Sequence, residues 1–313
     1  MADRLPGRPR PPGAPATLGV FCLSGRVEAD RLEAGIRRLE AAGHRVITAP
    51  ETRNEWRYFA GTDEERLAGF HRLLADPAID IMLAARGGYG ASRLLPAIDW
   101  RRVAESRKAF VGFSDFTAFN CAALSRAGLA SFHGPMVAMD FGDGEPDAFM
   151  RGHFEATLWG ARDSHTVACD HGSPAGTITG RLWGGNLSML AHLAGTPYLP
   201  QVDGGLLYVE EIGEQPYAVE RLLVQLHLAG VLARQSAILL GDFDDCLPTN
   251  PKRYPYAMAE VVESLRALAG CPVLTGLPFG HIARKLTLPF GLDAELHLGH
   301  GEYTLAWPGL AGP

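Results

Sequence analysis

The stretch Lys108-Ala-Phe-Val-Gly-Phe-Ser-Asp-Phe-Thr-Ala-Phe-Asn120 is apolar over residues 109–113, breaks at Ser114, and resumes as the first turns of a helix. A buried strand that passes through a sharp turn into a helix is the repeating unit of an α/β sheet. Ser114 stands between the end of the strand and the start of the helix. It is therefore either an ordinary N-cap or a nucleophile held at a strand-turn-helix junction, although the spacing G-x-S-x-G is absent.

The residues before this stretch repeat the same alternation of strands and helices. Apolar runs at 18–23, 45–48 and 79–85 are separated by two amphipathic helical patterns. The second helix begins with the capping-box signature Thr62-Asp-Glu-Glu65 and ends at Asp76-Pro77. We therefore predict an α/β fold with a parallel sheet and helices on both faces.

The pattern changes after about Gly142, where short β-like runs mix with helices and a hairpin is expected around Gly299-His-Gly-Glu302. We predict a flexible Pro/Arg-rich tail over 1–16 and an N-terminal α/β domain over 17–160. A linker is expected over 161–177, followed by a smaller, β-rich C-terminal α/β domain over 178–308.

Composition excludes several classes of function. The 313 residues carry a formal charge of −6, without the basic stripe typical of nucleic-acid binders. No apolar run suggests a membrane span, and the N-terminus lacks the apolar core of a signal peptide, so we expect a cytoplasmic protein. The five scattered cysteines form no C-x-x-C pair and fit free thiols.

A glycine-rich loop, Arg86-Gly-Gly-Tyr-Gly90, directly follows a predicted strand. Glycines at a strand end allow backbone N–H groups to approach a ligand closely. The loop matches neither the G-x-G-x-x-G fingerprint nor a P-loop. It is therefore either a plain turn or a loop that binds an anion or an oxyanion.

Two further stretches carry side chains suited to catalysis. The run Leu206-Leu-Tyr-Val-Glu-Glu-Ile-Gly-Glu214 ends in acids, and a carboxylate at a strand end can orient a histidine. His281 follows the turn Leu277-Pro-Phe-Gly280 and is either catalytic or an ordinary surface or core histidine. No H-E-x-x-H motif or Cys/His cluster is present, so neither a metal nor another cofactor is predicted.

Taken together and in this order, the motifs resemble the LD-carboxypeptidase family of serine peptidases over about residues 18–307. The motifs that carry the resemblance are Ala85-Arg-Gly-Gly-Tyr-Gly-Ala-Ser-Arg-Leu-Leu95, Gly112-Phe-Ser-Asp-Phe-Thr-Ala118, His133-Gly-Pro-Met136, Gly180-Arg-Leu-Trp-Gly-Gly-Asn-Leu187, Glu210-Glu-Ile-Gly-Glu214 and Gly276-Leu-Pro-Phe-Gly-His281. The resemblance implies a flavodoxin-like N-terminal domain that carries the nucleophile, a smaller β-rich domain that carries the other two catalytic residues, and a homodimer.

The resemblance also implies a role for each site residue. Ser114 would be the nucleophile, His281 the base and Glu210, rather than Glu211, the carboxylate that orients the histidine. The N–H groups of Gly88 and Asp115 would bind the oxyanion. A carboxypeptidase must also bind a terminal carboxylate, and Arg86 and Arg284 are the candidates because a guanidinium suits that group.

The activity implied is removal of the terminal D-Ala from the muropeptide-derived tetrapeptide L-Ala-γ-D-Glu-meso-diaminopimelate-D-Ala in peptidoglycan recycling. An alternative within the family is cleavage of a peptide-nucleotide antibiotic, as in microcin immunity. A non-catalytic anion-binding protein is a more remote alternative, with Ser114 as a helix cap. An esterase of the α/β-hydrolase class is disfavoured because G-x-S-x-G is missing.

Overall fold

A computed structural model describes residues 14–160, 162–253 and 255–309. Residues 1–13 of the expected tail lie outside the described residues. The elements of the first half are, in chain order, β1 (Thr17–Phe21), α1 (Ala29–Ala41), β2 (Arg45–Thr48), α2 (Asp63–Ala75), β3 (Ile81–Ala84), α3 (Ala91–Leu94), α4 (Trp100–Glu105), β4 (Ala109–Val111), α5 (Thr117–Ala127), β5 (Ser131–His133) and α6 (Ala148–Trp159).

The second half of the chain begins with a strand and contains most of the remaining β structure. Its elements are β6 (Arg162–Ala168), β7 (Gly176–Asn186), α7 (Leu187–Leu193), β8 (Gly205–Ile212), α8 (Pro216–Leu228), β9 (Gln235–Asp244), α9 (Met258–Leu268), β10 (Val273–Leu274), β11 (Leu288–Phe290), β12 (Leu292–Leu298) and β13 (Glu302–Pro308).

Local sequence signals explain where the early helices begin and what they bury. Thr62 Oγ1 accepts from the Glu65 N–H at 3.2 Å, and Glu65 Oε2 accepts from the Thr62 N–H at 2.7 Å, which confirms the capping box at the start of α2. Helix α1 buries Leu32, Ile36 and Leu39, whose spacing places them on one face against the sheet.

The first sheet is parallel over its first five strands. Its order is β2-β1-β3-β4-β5, with β11 from the second half added antiparallel to β5, so six strands are present within the described residues. This order is that of a flavodoxin-like fold, and it confirms the predicted fold class. In such sheets ligands bind beyond the carboxyl ends of the strands, near the point where the strand order reverses.

The second sheet has the order β10-β9-β8-β7-β12-β13-β6 within the described residues. Strands β7 to β10 pair in parallel, whereas β12, β13 and β6 pair antiparallel and include the expected hairpin β12–β13. Strand β6 lies in the segment 161–177 that the sequence suggested as a linker, and residues 162–168 pair with β13 instead. The division into domains otherwise stays a prediction.

The two halves share one apolar core. Phe70, Phe110 and Phe119, on one side of the first sheet, belong to the same buried cluster as Trp183 and Leu207 of the second sheet. A second cluster fills the other face of the first sheet, beneath α1 and α6. Within the described residues no helix has the length and apolarity needed to cross a bilayer.

Candidate active site

Ser114 occupies a strained turn at the carboxyl end of β4. Its φ is +62°, a left-handed conformation that costs a non-glycine residue on the order of 1 kcal/mol. A short 3₁₀ turn over Ser114–Phe116 leads directly into α5, and the Ser114 side chain makes no capping hydrogen bond to the helix. The structure therefore favours the interpretation of Ser114 as a residue displayed at the turn over that of an N-cap.

His281 connects this serine to a buried carboxylate. Its Nε2 lies 3.0 Å from Ser114 Oγ, and its Nδ1 lies 2.8 Å from Glu210 Oε2. The Glu210 side chain has no exposed surface, so its carboxylate acts in a medium that screens charge poorly. With the Nδ1 proton donated to Glu210, Nε2 presents its lone pair to the serine hydroxyl, which is the arrangement of a Ser-His-acid triad.

A glycine permits this placement of His281. Gly280 has φ of +144°, and a Cβ there would lie 3.2 Å from Asp242 Cβ and 3.4 Å from Glu210 Cβ. A larger residue would be strained in its backbone and would press against two strand ends of the second sheet. The turn expected from Pro-Phe-Gly before His281 therefore brings the imidazole close to the end of β8.

The two neighbouring acids of β8 have different partners. Glu211 accepts from Asn186 Nδ2 at 2.9 Å and from the Ser188 N–H at 2.7 Å, at the start of α7. Successive side chains of a strand point to opposite faces, so Glu210 and Glu211 cannot both reach His281. The geometry favours Glu210 as the partner of His281 and gives Glu211 a role in holding α7.

The loop 86–90 approaches Ser114 as closely as glycine allows. A Cβ on Gly87 would lie 2.9 Å from both Cβ and Oγ of Ser114. The Gly87 carbonyl accepts from the Gly25 N–H at 3.2 Å. Because the peptide is trans, the following Gly88 N–H points to the opposite side, away from Gly25. The Asp115 N–H lies in the first turn of the 3₁₀ helix Ser114–Phe116, where an N–H group has no carbonyl of a preceding helical turn to donate to.

The side chain of Asp115 ties the nucleophile turn to this loop. Its Oδ2 accepts from Ser24 Oγ at 2.6 Å and from the Ala91 N–H at 2.8 Å, and the residue is buried. Burial raises the pKa of the Asp115 carboxyl, while the bonds from Ser24 and Ala91 oppose that shift. No local sequence signal marks Ser24 as part of the site, because the residue lies 91 positions from its partner.

A network between the two halves holds the helix that follows Ser114. Thr117 Oγ1 accepts from the Asn186 N–H at 3.1 Å and lies 3.2 Å from His133 Nε2. His133 Nδ1 lies 2.5 Å from Tyr208 Oη, and burial lowers the pKa of this histidine to about 3. A Cβ on Gly185 would lie 2.4 Å from His133 Cε1, so this close contact requires glycine at position 185.

The two arginine candidates lie differently. Arg86 stands directly before Gly87, and its Nη1 donates to the Arg26 carbonyl at 2.6 Å. The Arg284 guanidinium carbon lies 3.9 Å from the centroid of the Phe149 ring, a cation–π contact on α6. The structure therefore places Arg86 beside the site and turns Arg284 toward α6. Among the described residues no group of three His, Cys, Asp or Glu side chains is arranged to hold a metal ion.

Comparison with known proteins finds family matches in both halves of the chain. A model of the LD-carboxypeptidase N-terminal domain matches residues 18–134, and one of the LD-carboxypeptidase C-terminal domain matches residues 179–296. The murein tetrapeptide carboxypeptidase of Pseudomonas aeruginosa is 36% identical over 290 residues, covering 89% of this chain and 92% of the relative. The chain belongs to the LD-carboxypeptidase family.

A solved structure and a more distant relative complete the comparison. The crystal structure of muramoyltetrapeptide carboxypeptidase from Oxalobacter formigenes superposes with a TM-score of 0.87 at 39% identity, covering 94% of this chain and 98% of the other. The microcin C7 self-immunity protein of Escherichia coli is 27% identical over 315 residues, covering 90% of each chain. The relatives of this chain are thus named for two different roles, tetrapeptide carboxypeptidase and microcin self-immunity.

Proposed function

We propose that this protein is a serine L,D-carboxypeptidase that removes the terminal D-Ala from L-Ala-γ-D-Glu-meso-diaminopimelate-D-Ala. The observation that carries the proposal is the hydrogen-bonded series from Ser114 through His281 to Glu210, set at the ends of strands from both sheets. The names of the Pseudomonas and Oxalobacter relatives supply the substrate class.

In this mechanism Ser114 Oγ attacks the carbonyl carbon of the diaminopimelate–D-Ala bond while His281 Nε2 accepts the serine proton. The imidazolium, stabilised by Glu210, then donates that proton to the amine of the departing D-Ala. A water molecule, deprotonated by the same imidazole, hydrolyses the acyl-enzyme and regenerates Ser114. The Gly88 and Asp115 N–H groups stabilise each tetrahedral oxyanion, a contribution of about 10²- to 10³-fold in rate per donor.

Arg86 is the group that we assign to the terminal carboxylate of the substrate. It stands directly before Gly87, which lies against Ser114, so a peptide held at the nucleophile passes close to it. Arg86→Met should raise KM by about tenfold or more, because a charge-assisted bond is lost. Arg284→Met is the matched control, since that guanidinium lies over Phe149 and should leave KM unchanged.

The test of the activity is release of free D-Ala from the synthetic tetrapeptide by the purified protein, with and without EDTA. Ser114→Ala and His281→Ala should each lower turnover by several orders of magnitude, because triad residues act as a unit. Turnover should survive EDTA. A wild-type protein that releases no D-Ala would refute the assignment of substrate.

The relation to the microcin immunity protein makes a peptide-nucleotide conjugate the second candidate substrate. Tyr58 lies against Gly88, and Tyr89 follows Gly88 within the loop 86–90. The two rings are 48% and 44% exposed, which leaves their faces accessible for stacking on a nucleobase. Release of an aminoacyl adenylate from a model conjugate, at a higher kcat/KM than release of D-Ala from tetrapeptide, would favour this candidate.

The oligomeric state, the cellular location and the physiological role of the enzyme are also proposed from the family resemblance. We propose a homodimer that works in the cytoplasm, where it returns tripeptide for peptidoglycan recycling. Light scattering of the purified protein tests the dimer. Accumulation of tetrapeptide in the cytoplasm of cells that lack the protein tests the role in recycling.

A further inference from the structure

A buried ion pair joins the segment that carries His281 to the first half of the chain. Lys285 Nζ lies 2.6 Å from Asp140 Oδ1, and the two side chains are only 3% and 6% exposed. Asp140 belongs to the helical turn Val137–Phe141 that follows β5, and its Oδ2 also accepts from the Met136 N–H at 2.7 Å. Four positions in the sequence separate Lys285 from His281.

The same ammonium group contacts the residue that precedes the nucleophile. Lys285 Nζ lies 3.8 Å from the centroid of the buried Phe113 ring, and that ring lies 5.0 Å from the His281 imidazole in an edge-to-face arrangement. These two contacts place the ammonium within about 9 Å of the imidazole, close enough for an uncompensated buried charge to affect its protonation. Phe113 is therefore in contact with both Lys285 and His281.

A buried ion pair is not explained by stability alone. Removing two charges from water offsets much of their attraction, and an apolar pair of similar size is often equally stable. Here Lys285 lies on the segment that carries His281, and Asp140 lies in the half of the chain that carries Ser114. The ion pair therefore connects the two parts of the chain that must bring the serine and the histidine into contact. Two carboxylates among the described residues also lie near the imidazole: Glu210 is bonded to its Nδ1, and Asp242 lies against the preceding residue.

We propose that Lys285 and Asp140 are positioning residues of the active site, which hold the His281 segment and Phe113 in register with Ser114. The inference rests on the proposed function, in which His281 is the base for Ser114. Neither side chain contacts the reacting atoms. Because the two charges cancel, the pair fixes the geometry without adding a net charge beside the imidazole that must accept a proton.

The experiment compares wild type with Lys285→Met, Asp140→Asn and the double variant. We measure kcat and KM for release of D-Ala, and the pH dependence of labelling of Ser114 by a fluorophosphonate, which reports the base without requiring the peptide substrate. Each single variant should lower kcat by about tenfold or more while KM stays within about threefold, since small displacements of catalytic groups reduce rate more than binding.

The pH dependence separates a positioning pair from a merely structural one. Lys285→Met leaves the Asp140 carboxylate uncompensated, which favours the imidazolium and should move the acidic limb of the labelling profile to higher pH. Asp140→Asn leaves the ammonium alone and should move the limb to lower pH. Each displacement should be about one pH unit, and the double variant should return to the wild-type limb while its kcat stays low.

Arg162→Met is the matched control, because it removes one positive charge from the surface pair Arg162–Glu295 on the second sheet. It should change neither kcat nor the limb. If a single variant does not fold, the electrically neutral double variant carries the test through its kcat. A wild-type kcat in the double variant, limbs that do not move, or limbs that move in the same direction would overturn the inference. A wild-type protein that neither reacts with the fluorophosphonate nor releases D-Ala would instead overturn the proposed function.

Discussion

Replacing Glu210 by Gln tests the part of the site that the sequence left most open, the choice between two adjacent acids. The Glu210 carboxylate lies 2.8 Å from His281 Nδ1 and has no solvent exposure. With charge centres about 4 Å apart and an effective dielectric constant of about 20, its attraction for the imidazolium is about 4 kcal/mol. Since every 1.36 kcal/mol is about tenfold in rate, Glu210→Gln should lower kcat by about 10³-fold.

Glu211→Gln is the matched control, because the substitution is the same and the position is the next one along β8. Its carboxylate accepts hydrogen bonds at the start of α7 and does not contact His281. An amide has only one acceptor oxygen, so one donor of α7 loses its partner at a cost of about 1–3 kcal/mol. Glu211→Gln should therefore lower Tm by several degrees and leave kcat within about threefold of wild type.

The assay is steady-state release of D-Ala, with thermal unfolding followed by circular dichroism for both variants. The expected pattern is a loss of rate without loss of stability in Glu210→Gln, and the reverse in Glu211→Gln. If Glu211→Gln abolished turnover while Glu210→Gln retained it, the assignment of the orienting carboxylate would be wrong. Equal, small effects in both variants would refute the electrostatic argument itself.

Three further predictions follow from local geometry. Gly87→Ala places a Cβ 2.9 Å from Ser114 Oγ and should lower kcat by about 10²-fold. The control is Gly152→Ala in α6, where the added Cβ meets open space, and this variant should keep full activity and a Tm at least equal to that of wild type. Ser114→Gly should unfold at a higher temperature than Ser114→Ala, by about 1 kcal/mol in stability, because glycine accepts φ of +62° without strain; equal Tm values would show that the turn is not strained. Burial lowers the pKa of His133 to about 3, so between pH 6.5 and 3 the unfolded chain binds a proton that the folded chain does not. The free energy of unfolding should therefore fall by up to about 1.4 kcal/mol for each pH unit as the pH is lowered from 6.5 toward 3. Urea unfolding at several pH values checks this, and His133→Gln should show a shallower slope.

Much of the fold could be predicted because its signals are local. The capping box at Thr62 and the hairpin between β12 and β13 depend on residues close together in sequence, and both are confirmed. Strand β6 was less evident, because its alternating polar residues at a sheet edge resemble a connecting segment. The pairing of β11 with β5 had no local signal, since a three-residue strand gains its stability only from the neighbour it meets.

The residues of the site show the same difference between what local sequence signals reveal and what depends on long-range packing. Spacing alone could not choose between Glu210 and Glu211, because adjacent strand residues exchange faces and the packing of α7 decides which face meets His281. Arg284 is close to His281 in sequence, yet its guanidinium packs on α6. Asp115 was expected to act through its N–H, and the structure adds a buried side chain that joins the turn to the loop 86–90.

The sequence by itself determined the local chemistry of this protein: strands that end in glycine, a serine at the start of a helix, an acid pair at a strand end and a histidine behind a glycine turn. These features depend on backbone freedom and side-chain type over a few residues. Only the tertiary structure decided that Ser114, 167 positions from His281, lies 3.0 Å from it, and that Glu210 faces the same imidazole. Such distances depend on how two sheets pack around a shared core, and no short stretch of sequence contains that information.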